Sequence, residues 1–314
     1  MLAAVLKNFG GPEALTVEVV DPPEPGVGEV LVRVRASSAN PVDALIREGA
    51  ANPDLALPTV IGSDVAGVVE QVGEGVTAFA VGDEVYYTSE LTDGWGAYAQ
   101  YHVAAAAIVA PKPASLSFTE AAAIPLAGGT AWEAIVRRLA VRPGQTVLVH
   151  GGSGGVGSFA VQFAKAAGAA VLATAGADRG HMLEELGATP IDYESEDFVE
   201  VARDHTGGHG VDAVLDTVGA DNVGRSLAAT RDGGRVATVL APEGRLDDLF
   251  RRNQSLHGIF LIRERARLTE MTPLFERGLV RPRIAQVTGL DKVADLHRRL
   301  DDGHNEGKLV LEIP

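Results

Sequence analysis

One glycine run in this 314-residue sequence, Gly151-Gly152-Ser153-Gly154-Gly155-Val156-Gly157, has residue types and spacing that specify a chemistry. Gly152, Gly154 and Gly157 stand in a G-x-G-x-x-G pattern after the apolar run Val147-Leu148-Val149 and at the head of a helical pattern. One glycine permits a tight turn, the next lets a pyrophosphate approach the backbone, and the last lets the helix pack on the strand. The free amides of the helix N-terminus then face the negative charge. Gly152, Ser153, Gly154, Gly155, Val156 and Gly157 are therefore candidate dinucleotide contacts. A glycine-rich turn without a ligand is the alternative. It is disfavoured because strand, helix and further strand–helix units follow where the motif needs them.

The end of the next strand bears on which dinucleotide. A ribose with a free 2′-hydroxyl usually meets Asp or Glu about 20 residues beyond the glycines. Here the sequence runs Thr174-Ala175-Gly176-Ala177-Asp178-Arg179, so Gly176 takes the carboxylate's place and Arg179 follows three residues later. A missing carboxylate and a nearby guanidinium favour a 2′-phosphate, hence NADPH. Two other roles stay open: Asp178 is close enough to neutralise Arg179 or to bind the hydroxyl itself, and Arg179 could be a solvated first-turn residue.

Composition removes other chemistries. With no cysteine there is no disulfide, thiolate-held zinc or thiol nucleophile. Forty-two acidic against 27 basic side chains give a formal charge of −15, which opposes phosphate backbones, so no nucleic-acid partner is expected. His205-Thr206-Gly207-Gly208-His209 has the spacing of a metal pair, but its central glycines read as a loop, and no metal is expected. The apolar start is too short for a signal peptide. The stretch 146–177 is broken by His150, Gln162, Lys165 and glycines, short of the roughly 18 apolar residues of a membrane span. A cytoplasmic protein with no membrane partner is expected, and the sequon Asn253-Gln254-Ser255 is read as chance.

The elements that must hold the loop follow from pattern. About 110 N-terminal residues read as short strands between glycine and proline turns, with Val30, Val32 and Val34 alternating along one strand. Further strands are expected at 64–72, 84–87 and 97–103, and a short helix after Asn40-Pro41. Ser117-Phe118-Thr119-Glu120 is a capping box that opens a helical region, with a break at Gly128-Gly129, to about residue 139. Strands at 146–150, 170–174, 190–192, 211–218, 234–240 and 256–262 then alternate with helices at 155–167, 179–186, 196–205 and 222–230, the pattern of a parallel sheet with helical crossovers. Helices at 266–279 and 292–301 and a last strand at 308–313 return to the first domain.

Several stretches in register resemble one family. They are Asn40-Pro41-Val42-Asp43 with Ile46-Arg47-Glu48-Gly49, then Ile61-Gly62-Ser63-Asp64-Val65-Ala66-Gly67 with Gly82-Asp83-Glu84-Val85, then Gly96-Ala97-Tyr98-Ala99-Gln100-Tyr101 and the glycine loop. Over nearly the whole chain this resembles the zinc-independent quinone oxidoreductases, near zeta-crystallin, of the medium-chain dehydrogenase/reductase superfamily. The resemblance implies an α/β fold: a doubly wound parallel Rossmann domain (123–262) inserted in a β-rich GroES-like domain (1–122 plus 263–314). Zinc-dependent relatives carry Cys, His and Cys where this chain has Asn40, Ser63 and Leu126, and none of these makes a zinc set. Without a Lewis acid, the acceptors that suit are quinones and α,β-unsaturated carbonyls, which delocalise the incoming charge themselves.

By resemblance the nicotinamide lies near Asn40 and Thr130, in a cleft between the domains. Asn40, the best catalytic candidate, is placed to donate to the nicotinamide ribose or a developing oxyanion; its other reading is a turn residue before Pro41. Leu45 stands where many members carry Tyr, implying a more apolar pocket. Trp95, in the loop Thr92-Asp93-Gly94-Trp95-Gly96, is a lid candidate or a loop aromatic packed on its own domain. Tyr193 is implied beside the adenosine 2′-phosphate. Leu240, Phe260 and Ile262 are implied along the cofactor cleft, with ordinary strand core as the alternative. The strand at 256–262 is expected at the sheet edge, where the resemblance implies a homodimer by edge pairing. The expected activity is NADPH-dependent hydride transfer to a quinone or another activated alkene or carbonyl. The alternatives are an enoyl or enone reductase for one unsaturated carbonyl, and a nucleotide-binding structural or sensing protein with little turnover.

Overall fold

The computed structural model describes residues 1–90, 95–303 and 305–314. The chain divides into two compact units, Met1–Ala127 with Ile262–Gly278 and Pro282–Pro314, and Gly128–Leu261 with Leu279–Arg281. No helix among the described residues is long and apolar enough to cross a membrane.

The second unit is a six-stranded sheet, parallel throughout: Thr146–Val149, Ala170–Ala175, Thr189–Asp192, Val211–Asp216, Thr230–Thr238 and Ser255–Gly258. In space the order is third, second, first, fourth, fifth, sixth, so the chain reverses direction across the sheet at the first strand. That reversal is the topological switch point of a doubly wound fold. Leu148, Leu172, Ile191, Val214 and Val236 come from five of the strands. They meet Phe198, Ala202 and Leu227 of the helices Phe198–His205 and Asn222–Ala229 in one buried cluster.

The first unit is β-rich. Glu29–Ala39 pairs with Asp64–Val72, with Tyr101–Ala105 and with Lys308–Glu312, all antiparallel, so the last strand does return to the first unit. Leu309 lies opposite Ala39, which brings Lys308 to the end of that long strand, beside Asn40.

Several expected boundaries are corrected. The helical region that opens at the Ser117 capping box breaks before Pro125, giving Phe118–Ala122 and Pro125–Trp132. Gly128 and Gly129 lie inside the second helix. Proline disfavours the α-conformation at the residue before it, in keeping with the break at Ile124. That helix continues as a π-helical segment, Glu133–Arg138. The strand expected at 97–103 is Tyr101–Ala105, and Ala99 makes only an isolated bridge to Ala3. Arg179 lies in a 3₁₀ turn, Ala177–Arg179, ahead of the helix Gly180–Glu185 rather than in its first turn. The strand expected at 234–240 ends at Thr238, and the edge strand ends at Gly258. Leu240, Phe260 and Ile262 are 49%, 82% and 66% exposed, so the strand-core alternative fails for all three.

Candidate functional site

The glycine loop leaves the C-terminal end of the first strand of the parallel sheet. Gly151 turns with φ +67°. Its N–H donates to Thr174 Oγ1 at 3.1 Å, Gly152 N–H to Thr174 O at 2.9 Å, and Gly154 N–H to Gly151 O at 3.0 Å. Thr217 Oγ1 donates to His150 O at 2.7 Å from the neighbouring strand end. His150, fully buried, lies between Ser226 Oγ at 3.0 Å and Thr174 Oγ1 at 3.4 Å, and burial pushes its imidazole down to about 4. It is therefore neutral at pH 7 and braces the loop. His150, Thr174 and Thr217 carry no motif, and only the strand alignment picks them out.

The loop fits a dinucleotide on two observations. The helix Gly155–Ala166 starts at Gly154 with no side-chain cap, which leaves its first-turn amides for an anion. A Cβ at Gly154 would meet only Gly151 O, at 3.4 Å, so packing does not require a glycine there. Gly152 and Gly157 differ: a Cβ would lie 2.7 Å from Ala173 Cβ in the first case and 2.1 Å from Gly151 O in the second. Gly176 is buried at the end of Ala170–Ala175, Arg179 is paired to Asp178 at 3.3 Å, and Tyr193 is half exposed.

In the first unit, the three positions that carry zinc ligands in zinc-dependent relatives are drawn together by a carboxylate. Asp64 accepts from Asn40 Nδ2 at 2.8 Å, Ser38 Oγ at 2.7 Å and the Leu126 N–H at 2.8 Å. Ser63 Oγ accepts from Asn40 Nδ2 at 2.9 Å. The buried Lys308 ammonium lies 3.5 Å from Asp64 Oδ2 and donates to Ala39 O at 3.0 Å and to Asn40 Oδ1. The Asn40 side chain, 2% exposed, thus has both ends engaged internally. An amide, a hydroxyl and an aliphatic side chain beside an ammonium do not fit a divalent metal. Among the described residues, no group of three His, Cys, Asp or Glu side chains could hold one.

A second buried carboxylate extends the array. Asp43 Oδ2 accepts from Asn40 N–H at 2.8 Å, Ser63 Oγ at 3.0 Å and Tyr98 OH at 3.3 Å, while its Oδ1 has no partner. Arg47 can only donate, so His297 Nδ1 accepts from it at 3.0 Å and Nε2–H donates to Tyr98 OH at 3.2 Å. Burial, with Asp64 adding repulsion, raises Asp43 to about 7 against the opposing bond from Asn40 N–H. Burial also lowers Lys308, against the pull of Asp64 and Asp43. One buried cation thus faces two buried carboxylates, Asp64 and Asp43.

The sign of the resulting pH effect follows. Between 3.8 and about 7 the folded chain keeps a proton on Asp43 that the unfolded chain releases. The contribution is complete below the lower value and is lost as pH rises through the upper one. Asp43→Asn keeps a neutral side chain without titrating. Urea unfolding from pH 5 to 8 should therefore show the parent losing stability relative to the variant; parallel profiles would refute the assignment.

Leu45 is 47% and Trp95 44% exposed, while Thr130 is buried and belongs to the second unit. Thr92, Asp93 and Gly94, of the loop read as a lid candidate, lie outside the described residues. Among the described residues, the edge strand Ser255–Gly258 has a neighbour on one side only. The apparent metal pair is a loop: the helix ends at His205, and Gly207 and Gly208 take φ +61° and +89°.

A parallel sheet with a glycine loop at its switch point, in one chain with a β-rich unit, defines a nucleotide-binding oxidoreductase of the alcohol dehydrogenase type. Residues 26–114 match the alcohol dehydrogenase GroES-like domain family, and residues 186–311 the zinc-binding dehydrogenase family. Human quinone oxidoreductase is 32% identical over 99% of this chain and 97% of its own length. A structure of Escherichia coli quinone oxidoreductase complexed with NADPH superposes with a TM-score of 0.89, at 32% identity over 99% of this chain and 100% of the other. A structure described as an NAD-dependent alcohol dehydrogenase reaches 0.94, at 39% identity over the full length of both. The chain belongs to the zinc-independent quinone oxidoreductases of the medium-chain dehydrogenase/reductase superfamily, and it is an oxidoreductase.

Proposed function

We propose that the protein is an NADPH-dependent reductase that transfers hydride, without a metal, to a quinone or another activated alkene or carbonyl. The observation that carries this reading is the array around Asp64 and Lys308, which leaves no Lewis acid at the ligand positions Asn40, Ser63 and Leu126. An acceptor must then stabilise its own developing charge, as quinones and enones do. The cofactor, when bound, supplies the hydride. Gly152, Ser153, Gly154, Gly155, Val156 and Gly157 form the loop that holds its pyrophosphate, with the amides of Ser153, Gly155 and Val156 as donors because those of Gly152 and Gly154 are used within the fold, and Gly176, Arg179 and Tyr193 accommodate the 2′-phosphate. Leu240, Phe260 and Ile262 give it apolar surface. On the first unit Leu45 and Trp95 line the acceptor's place, where Leu45 excludes water and has no proton to donate, and on the second unit Thr130 is a nicotinamide contact. Asn40 acts as a wall of that place, because its amide is already bonded. The free edge at Ser255–Gly258 is the proposed homodimer contact, and the protein works in the cytoplasm.

Consumption of NADPH with a panel of ortho- and para-quinones and short enones tests the reading. Turnover with these acceptors, unchanged after exhaustive chelation, is expected. Oxidation of simple secondary alcohols that stops on chelation would overturn it.

A further inference from the structure

Three charged groups surround the place where a side chain at Gly176 would stand. Its Cβ would lie 3.0 Å from Asp178 Oδ1, 3.3 Å from Arg179 Nη2 and 3.8 Å from Glu194 Oε1. Asp178 and Arg179 belong to the turn after Ala170–Ala175, and Glu194 to the turn after Thr189–Asp192. That second turn is fixed against the first: Tyr193 N–H donates to Ala175 O at 3.2 Å, and Glu194 N–H to Asp192 Oδ1 at 3.1 Å. The Arg179 side chain is only 12% exposed and is held through Nε by Asp178. Two carboxylates thus flank position 176, and that of Asp178 is already paired with Arg179.

We propose that Glu194 is a specificity-determining residue for the dinucleotide. Its carboxylate accepts a hydrogen bond from the ribose hydroxyl of NADH and repels the 2′-phosphate of NADPH, so that the preference given by Arg179 stays small and both cofactors bind. This rests on the cofactor reading proposed above and adds to it the residue that sets the ratio. One negative charge within several ångströms of a phosphate, near water, is worth roughly 3- to 10-fold in affinity. Sequence spacing from the glycines does not point to Glu194, because it arrives from the following strand.

Fluorescence titration of NADPH and NADH against the parent, Glu194→Gln and Arg179→Ala decides the matter without turnover. Glu194→Gln is expected to raise the preference for NADPH about 3- to 10-fold, by tighter NADPH, weaker NADH or both. The gain should shrink as salt is raised, which a repacked loop would not produce. Arg179→Ala should move the preference the other way. Binding of both cofactors with an unchanged ratio in Glu194→Gln would overturn this proposal alone. Failure of the parent to bind either would overturn the reductase reading and this proposal with it.

Discussion

Gly157→Ala is expected to abolish dinucleotide binding, raising the NADPH dissociation constant by about 100-fold or more. The new Cβ would lie 2.1 Å from Gly151 O, 2.8 Å from Gly151 C and 2.9 Å from Gly152 Cα, all of them backbone atoms with no rotamer to yield. The loop would have to move as a whole. It is held by Gly151 N–H on Thr174 Oγ1, Gly152 N–H on Thr174 O and Thr217 Oγ1 on His150 O, so movement forfeits bonds each worth about 1 kcal/mol. The displaced atoms are also the ones that must meet a pyrophosphate. Gly154→Ala is the informative companion. Its Cβ meets only Gly151 O at 3.4 Å, so folding stability should stay within about 0.5 kcal/mol of the parent while NADPH binding still falls. Parent-like binding by Gly154→Ala, measured by fluorescence titration with circular dichroism as a folding control, would remove the loop from the cofactor site.

The contrast between these two glycines explains what could be read in advance. The loop is legible because its requirements are local: a strand, a turn and a helix within about a dozen residues, each with its own pattern. The alternation of strands and helices across 146–258 is local in the same sense. Where strands end is not, since the last strand stops at Gly258 although apolar residues continue through Ile262, and those residues are exposed. Gly128-Gly129 misleads for a related reason: glycine only weakens a helix, whereas proline costs far more in its interior and Pro125 stands at the first position of one. The array around Asp64 lies furthest from what spacing reveals. Asn40 is bonded to Ser63, 23 residues on, and to Lys308, 268 residues on. The pairing of Glu29–Ala39 with both Asp64–Val72 and Lys308–Glu312 brings them together. Asn40 therefore reads from sequence as a free donor, and in the fold its donors are already used.

Lys308→Met is expected to cost about 3–5 kcal/mol of stability, the largest loss foreseen for a single side chain of the first unit. The Lys308 side chain is 4% exposed and, among the described residues, supplies the cation within salt-bridge range of Asp64, whose side chain is fully buried. Removing it strands a charge in a site that water does not reach, and leaves Asn40 Oδ1 and Ala39 O without their donor. Methionine keeps most of the side-chain volume, so the loss reports the charge rather than a cavity. The double variant Lys308→Met/Asp64→Asn should recover part of it, because the two residues share one interaction and their effects should not add. With the cation gone, Asp43 and Asp64 face each other unopposed, so Asp43 should hold its proton to higher pH and the variant's loss of stability should continue to higher pH than the parent's. Urea unfolding of the four species at two pH values measures all of this. A loss below about 1 kcal/mol, or strict additivity in the double variant, would mean the array does not hold the unit together. If the losses are as large as expected, the positions that bind a dissociable cation in zinc-dependent relatives are organised here around one carried by the chain itself, and chelation has nothing at that place to remove.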